Sequence, residues 1–152
     1  MTTNRRTAAA HAVAGVLAFD GLLHVFWATG SHWPAADPQA LSYAVLGRDA
    51  PFTPPVVLPL AALLFTAAAL VAARARLGRG HRFWRAAQLG TVAVACGLAV
   101  RGLAGLAWAA GVDAGPDEGT GSTFHWLNLA LYTPLCLVLA ACALTVARER
   151  SE

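Results

Sequence analysis

Residues 18–29 read AFDGLLHVFWAT, an apolar run broken by Asp20 and, four residues later, by His24. Without those two it is an ordinary stretch of membrane-spanning helix. With them it needs polar partners, because a charge at the centre of such a helix costs about 2.5–3.5 kcal/mol on insertion scales. What surrounds the stretch says whether lipid is the solvent, and what lies level with it says who the partners are.

Of the 152 residues, 57% are hydrophobic and only 12% charged, where roughly 25% is usual, and the mean hydropathy is +0.55. A soluble chain of this length has too little interior to hide so much apolar surface. Four runs approach the roughly 20 apolar residues that cross a bilayer: about 8–29, 56–73, 86–110 and 124–147. The expectation is a single all-α domain over residues 1–152, a bundle of four transmembrane helices. Arg5 and Arg6 resemble the start of a signal peptide. The apolar segment behind them is too long for one and contains Asp20 and His24, so helix one reads as retained. The NRRT segment also lacks the rest of a twin-arginine signal.

Arginine placement orients the bundle. Arg5, Arg6, Arg74, Arg76, Arg79, Arg82, Arg85, Arg148 and Arg150 all fall on one side of a four-pass model, which the positive-inside rule makes cytoplasmic. Arg48 alone falls opposite, with Asp37, Asp49, Asp113, Asp117 and Glu118. Both termini are thus expected in the cytoplasm, the chain in the inner (plasma) membrane. The net charge of +3 is explained by these anchors and by anionic lipid, and no nucleic-acid partner is implied.

The first outer loop, GSHWPAADPQALSYAVLGRDAPFTPP (residues 30–55), carries its own helix signals. Asp37 suits an N-cap, Pro38 the first helical position and Gly47 the end. Leu41, Tyr43, Val45 and Leu46 favour the membrane surface, so a short interfacial helix is expected, as a plain connector or as a lid. Helix two, opened by Pro51, Pro54, Pro55 and Pro59, carries almost no polar groups and reads as scaffold. Cys96, Cys136 and Cys142 show neither CxxC nor metal-finger spacing, so no metal and no cofactor are expected.

Three helices each carry a polar face. Asp20, His24 and Trp27 are spaced i, i+4, i+7 on helix one. Arg101 interrupts helix three on a face where Ala93, Gly97 and Gly105 repeat small residues every four positions. His125, Asn128, Tyr132 and Cys136 form an arc on helix four, beside Pro134, which removes a backbone hydrogen bond and predicts a kink. At 1.5 Å per residue, Asp20 and Arg101 lie roughly 15 Å below the outer surface, Tyr132 about 12 Å, His24 about 8 Å and Asn128 about 6 Å. Level charges on neighbouring helices predict an Asp20–Arg101 ion pair, which could register helix one against helix three or build a site.

As a site, Asp20 orients His24 for proton transfer while Tyr132 and Asn128 hydrogen-bond a substrate oxygen. Candidate catalytic residues are therefore Asp20, His24 and Tyr132, and candidate substrate-binding residues are Trp27, Arg101, Trp108, His125, Trp126 and Asn128. The tryptophans also fit an interfacial aromatic belt. A haem between His24 and His125 is disfavoured by their difference in depth.

GLLHVFWATGSHWP (residues 21–34), VRGLAG (100–105) and NLALYTPLC (128–136) together resemble a family of small four-helix bacterial integral membrane proteins classed as a domain of unknown function. The resemblance implies the four-helix architecture and brings no activity. Two classes of function remain. One is an integral membrane protein whose outward-facing polar pocket binds an apolar ligand, or an accessory subunit of a membrane complex. The other is an intramembrane acid–base enzyme, an isomerase or cyclase acting on a lipid-soluble isoprenoid or polyketide. Expected partners are membrane lipid, a hydrophobic small molecule, and a second copy or partner subunit.

Overall fold

The computed structural model describes residues 2–112 and 122–148, the side chains of Thr2 and Thr3 excepted. Asp113, Asp117, Glu118 and Arg150, used above for orientation, lie outside the described residues. Among the described residues six α-helices follow in order: α1 (Thr2–Ala28), α2 (Pro38–Leu46), α3 (Pro54–Arg76), α4 (Trp84–Ala109), α5 (Thr123–Leu127) and α6 (Thr133–Ala147), with a π-helical turn at Asn128–Tyr132 between the last two. No strand occurs among the described residues. Four stretches of the described residues are long and apolar enough to cross a membrane: Asn4–Ala28, Pro54–Arg76, Trp84–Ala109 and Thr123–Ala147. The chain is an all-α, multi-pass membrane protein.

The first three spans each bury a narrow stripe at steps of three, four and seven, as helices packed side by side require. On α1 the stripe is Ala10, Val13, Leu17, Gly21, His24 and Trp27; on α3 it is Val57, Ala61, Ala68 and Val71. On α4 it runs Ala87, Thr91, Ala95, Gly102 and Gly105. The small-residue face expected through Ala93 and Gly97 is displaced by this result, since both are exposed and a Cβ on Gly97 would meet nothing within 4 Å. Gly102 instead sits against Leu137 and Gly90 against Leu70, where an added Cβ would lie 2.6 Å and 2.5 Å from side-chain carbons. Counting fours from Arg101 meets the stripe at Gly105 and not at Ala93 or Gly97, because steps of four drift away from the helical period.

α1 packs on α3 and α6, α4 packs on the same two helices, and α3 also touches α6. Hence α3 and α6 form the short diagonal of the bundle, and they hold α1 and α4 apart on the long one. In an up-down-up-down bundle the two parallel helices of such a pair are the ones that face each other diagonally.

The two ends differ. The end where α1 begins and α3 finishes is packed with small apolar residues, among them Ala10, Val13, Val71, Ala95, Ala143 and Val146. It is closed by a polar knot. Arg74 is buried, its Nε donates to Gln88 Oε1, and its guanidinium lies 5.3 Å from the Trp84 ring centre. Gln88 Nε2 and Arg74 Nη2 both donate to the carbonyl of Ala147, at 3.0 and 3.5 Å, and Arg6 Nη2 donates to the carbonyl of Arg74 at 2.8 Å. Arginines thus cap the C-terminal ends of α6 and α3, where unpaired carbonyls and the helix dipole favour positive charge. Arg74 is therefore a structural cap as well as one of the charges gathered at this end.

The short α2 lies over the other end. Asp37 Oδ1 accepts from the backbone of Ala40 at 2.7 Å, Pro38 opens the helix, and Gly47 ends it with φ 70°, its N–H returning to the Tyr43 carbonyl. Ser42, fully buried, ties down the following loop by donating to the Arg48 carbonyl and accepting from the Ala50 N–H. α2 packs on α5.

Candidate functional site

The polar residues of α1 and α4 gather at the α2 end, in two groups. On α1, His24 is buried while the Asp20 side chain is 47% exposed, so the acid flanks the core stripe that the imidazole joins. His24 Nδ1 lies 2.8 Å from the Asp20 carbonyl and 3.4 Å from Asp20 Oδ1. Both oxygens only accept, so Nδ1 must carry the hydrogen. Nε2 makes no hydrogen bond among the described residues and is not sealed from its surroundings. Trp27, also buried, donates from Nε1 to the Trp33 carbonyl at 3.0 Å and packs edge-on against His24 and Phe52. It clamps the loop that leads to α2.

The second group is built around Asn128. Its Oδ1 accepts from Arg101 Nη1 at 3.0 Å and from Thr133 Oγ1 at 3.2 Å, while its Nδ2 donates to the Gly105 carbonyl at 3.0 Å. The π-turn makes this possible. Pro134 has no N–H to offer the carbonyl of Ala130, and the helix instead closes a wider turn from the Thr133 N–H to the Asn128 carbonyl. Asn128 and Thr133 would stand about 140° apart on a regular helix. The extra residue brings them onto one face, and the buried stripe steps from Asn128 directly to Thr133. The expected kink beside Tyr132 takes this form. Gly105 leaves the room: a Cβ there would fall on the Thr133 hydroxyl and 2.9 Å from Asn128 Oδ1.

Tyr132, which a regular helix would stack over Asn128, is turned toward α2, and its hydroxyl donates to the Ala44 carbonyl at 3.2 Å. That carbonyl is in the last turn of α2, where helical donors have run out. The Arg101 guanidinium lies 5.1 Å from the Trp108 ring centre and 5.8 Å from that of Tyr132.

The Asp20–Arg101 ion pair expected from equal depth is not formed: Asp20 engages His24, and Arg101 engages Asn128. Rise along a helix measures depth and says nothing about azimuth. The two residues belong to the diagonal pair α1 and α4, with α3 and α6 between them.

Of the other predicted residues, Trp108 joins Arg101, whereas Trp126 is 60% exposed and pairs edge-on with the half-buried His125. Neither His125 nor Trp126 is brought into the two polar groups. Thr133 and Gly105 were missed as participants; Pro134 was the available signal, since a proline inside a span implies a local change of register. No three of His, Cys, Asp and Glu among the described residues approach closely enough to hold a metal ion. A surface recess of about 400 Å³ flanks α2, lined by Asp37, Gln39, Ala40, Tyr43, Ala44 and Thr123, and none of the predicted site residues lines it.

A family model covers residues 9–143, a stretch that holds every residue of both polar groups. The chain belongs to the DUF3995 family, whose members are described as proteins of unknown function. No curated protein and no solved structure matches the chain. Membership in DUF3995 agrees with the resemblance carried by the three motifs and leaves the chemistry to be argued from the residues.

Proposed function

We propose that the chain binds a lipid-soluble molecule bearing one oxygen function, at the α2 end between the His24 group and the Arg101 group. The observation that carries this is hydrogen-bonding capacity left open inside membrane-spanning helices. His24 Nε2 and the Arg101 nitrogens other than Nη1 have no hydrogen-bond partner among the described residues. In hydrocarbon an unsatisfied polar group costs several kcal/mol, so a polar ligand atom has a large return there. The arginine-rich end is the cytoplasmic one on this reading, which puts both termini in the cytoplasm and the site in the outer half of the plasma membrane.

The test is mass spectrometry of small molecules extracted from protein purified in mild detergent. A defined apolar molecule should accompany the wild type and be depleted in His24→Phe and Arg101→Gln. Identical extracts from all three proteins would refute the site and favour an accessory subunit that only packs against a partner.

A second reading, an isomerase or cyclase, draws on the His24 geometry. With Nδ1–H held by the Asp20 carbonyl, a neutral ring presents its lone pair at Nε2, as a general base requires. On that reading the wild type converts the retained molecule to an isomer and His24→Phe retains it unchanged.

A further inference from the structure

We propose that the group recognised at Arg101 is an oxyanion, a carboxylate or phosphate carried on an apolar chain; this names the ligand class and rests on the binding reading above. Among the described residues Arg101 is oriented without being neutralised. Its contacts are an amide oxygen, Asn128 Oδ1 at 3.0 Å, and the faces of Trp108 and Tyr132 at 5.1 and 5.8 Å. All three are uncharged. No carboxylate among the described residues touches the guanidinium, since Asp20 sits across the long diagonal against His24.

The orientation is costly to build. Asn128 is pinned on its other side by the Gly105 carbonyl, and its Oδ1 is held by the Thr133 hydroxyl as well as by Arg101, which requires both the π-turn and the missing side chain of Gly105. A cation needing only to reach water would be served by a flexible side chain. Trp108 lies two turns beyond Arg101, so the side chain runs along α4 toward the α2 end, carrying the charge up from mid-span toward the level of lipid head groups. A neutral carbonyl would satisfy one N–H. A carboxylate or phosphate takes two in the planar fork and also cancels the charge.

Two sources share this chemistry, a free acidic amphiphile and an anionic phospholipid of the bilayer. The experiment uses full-length protein in phosphatidylcholine nanodiscs, with oleate or oleyl alcohol added and bound adducts measured by native mass spectrometry. Oleate should bind about tenfold or more tightly than the alcohol, Arg101→Gln should erase that preference, and Arg101→Lys should keep part of it. Competition by phosphatidylglycerol introduced into the nanodisc would identify the bilayer lipid as the source, and its absence would identify the free amphiphile. Equal binding of oleate and alcohol to the wild type would overturn the oxyanion and leave the site standing. Binding of neither probe would overturn both. The wild-type comparison needs no variant to fold.

Discussion

Asn128 and Thr133 are five residues apart and share a face: Thr133 Oγ1 donates to Asn128 Oδ1 at 3.2 Å across the π-turn beside Pro134 in the fourth span. This contact joins the backbone defect to the only hydrogen bond that holds the Arg101 side chain among the described residues.

Asn128→Leu removes the partner of Arg101, Thr133 and the Gly105 carbonyl at once, with a cost of about 2–5 kcal/mol because a charge is among the groups stranded. Thr133→Val removes one neutral donor and costs about 1 kcal/mol. Unfolding in mild detergent should rank them in that order, and a Thr133 variant as unstable as the Asn128 variant would show that the amide is not the hub.

Two glycines on α4 should respond oppositely to alanine. Gly105→Ala drives a Cβ into the Thr133 hydroxyl and should cost about 1–3 kcal/mol. Gly97→Ala meets nothing and should be neutral or stabilising by up to about 1 kcal/mol. Equal effects in thermal unfolding would contradict the placement of the buried stripe.

Asp20→Asn and Arg101→Leu should combine additively, within about 0.5 kcal/mol, since the residues occupy diagonal helices and neither an ion pair nor a hydrogen bond joins them. A coupling energy above about 1 kcal/mol in the double-mutant cycle would restore the direct ion pair.

Orientation is read by labelling. A cysteine at Asp49, in the exposed loop after α2, should react with an impermeant thiol reagent on intact cells; one at Arg82 should react only after lysis. The reverse pattern would invert the bundle and place the site toward the cytoplasm.

Hydropathy and length alone identified four spans, because a bilayer demands about 20 apolar residues whatever they pack against. Local chemistry was equally legible: Asp37, Pro38 and Gly47 bound α2 as their capping preferences require. Rise along the helices likewise placed Asp20, His24, Arg101, Asn128 and Tyr132 toward one end of their spans. Azimuth was not available. Which helices are neighbours is decided by how all four stripes close together, and that placed α1 and α4 on a diagonal and separated Asp20 from Arg101. The register of the fourth span was likewise a tertiary matter. Pro134 announced that a backbone bond must be lost, but only packing against Gly105 and Arg101 determined that the helix would widen by one residue, bringing Thr133 under Asn128 and sending Tyr132 to α2.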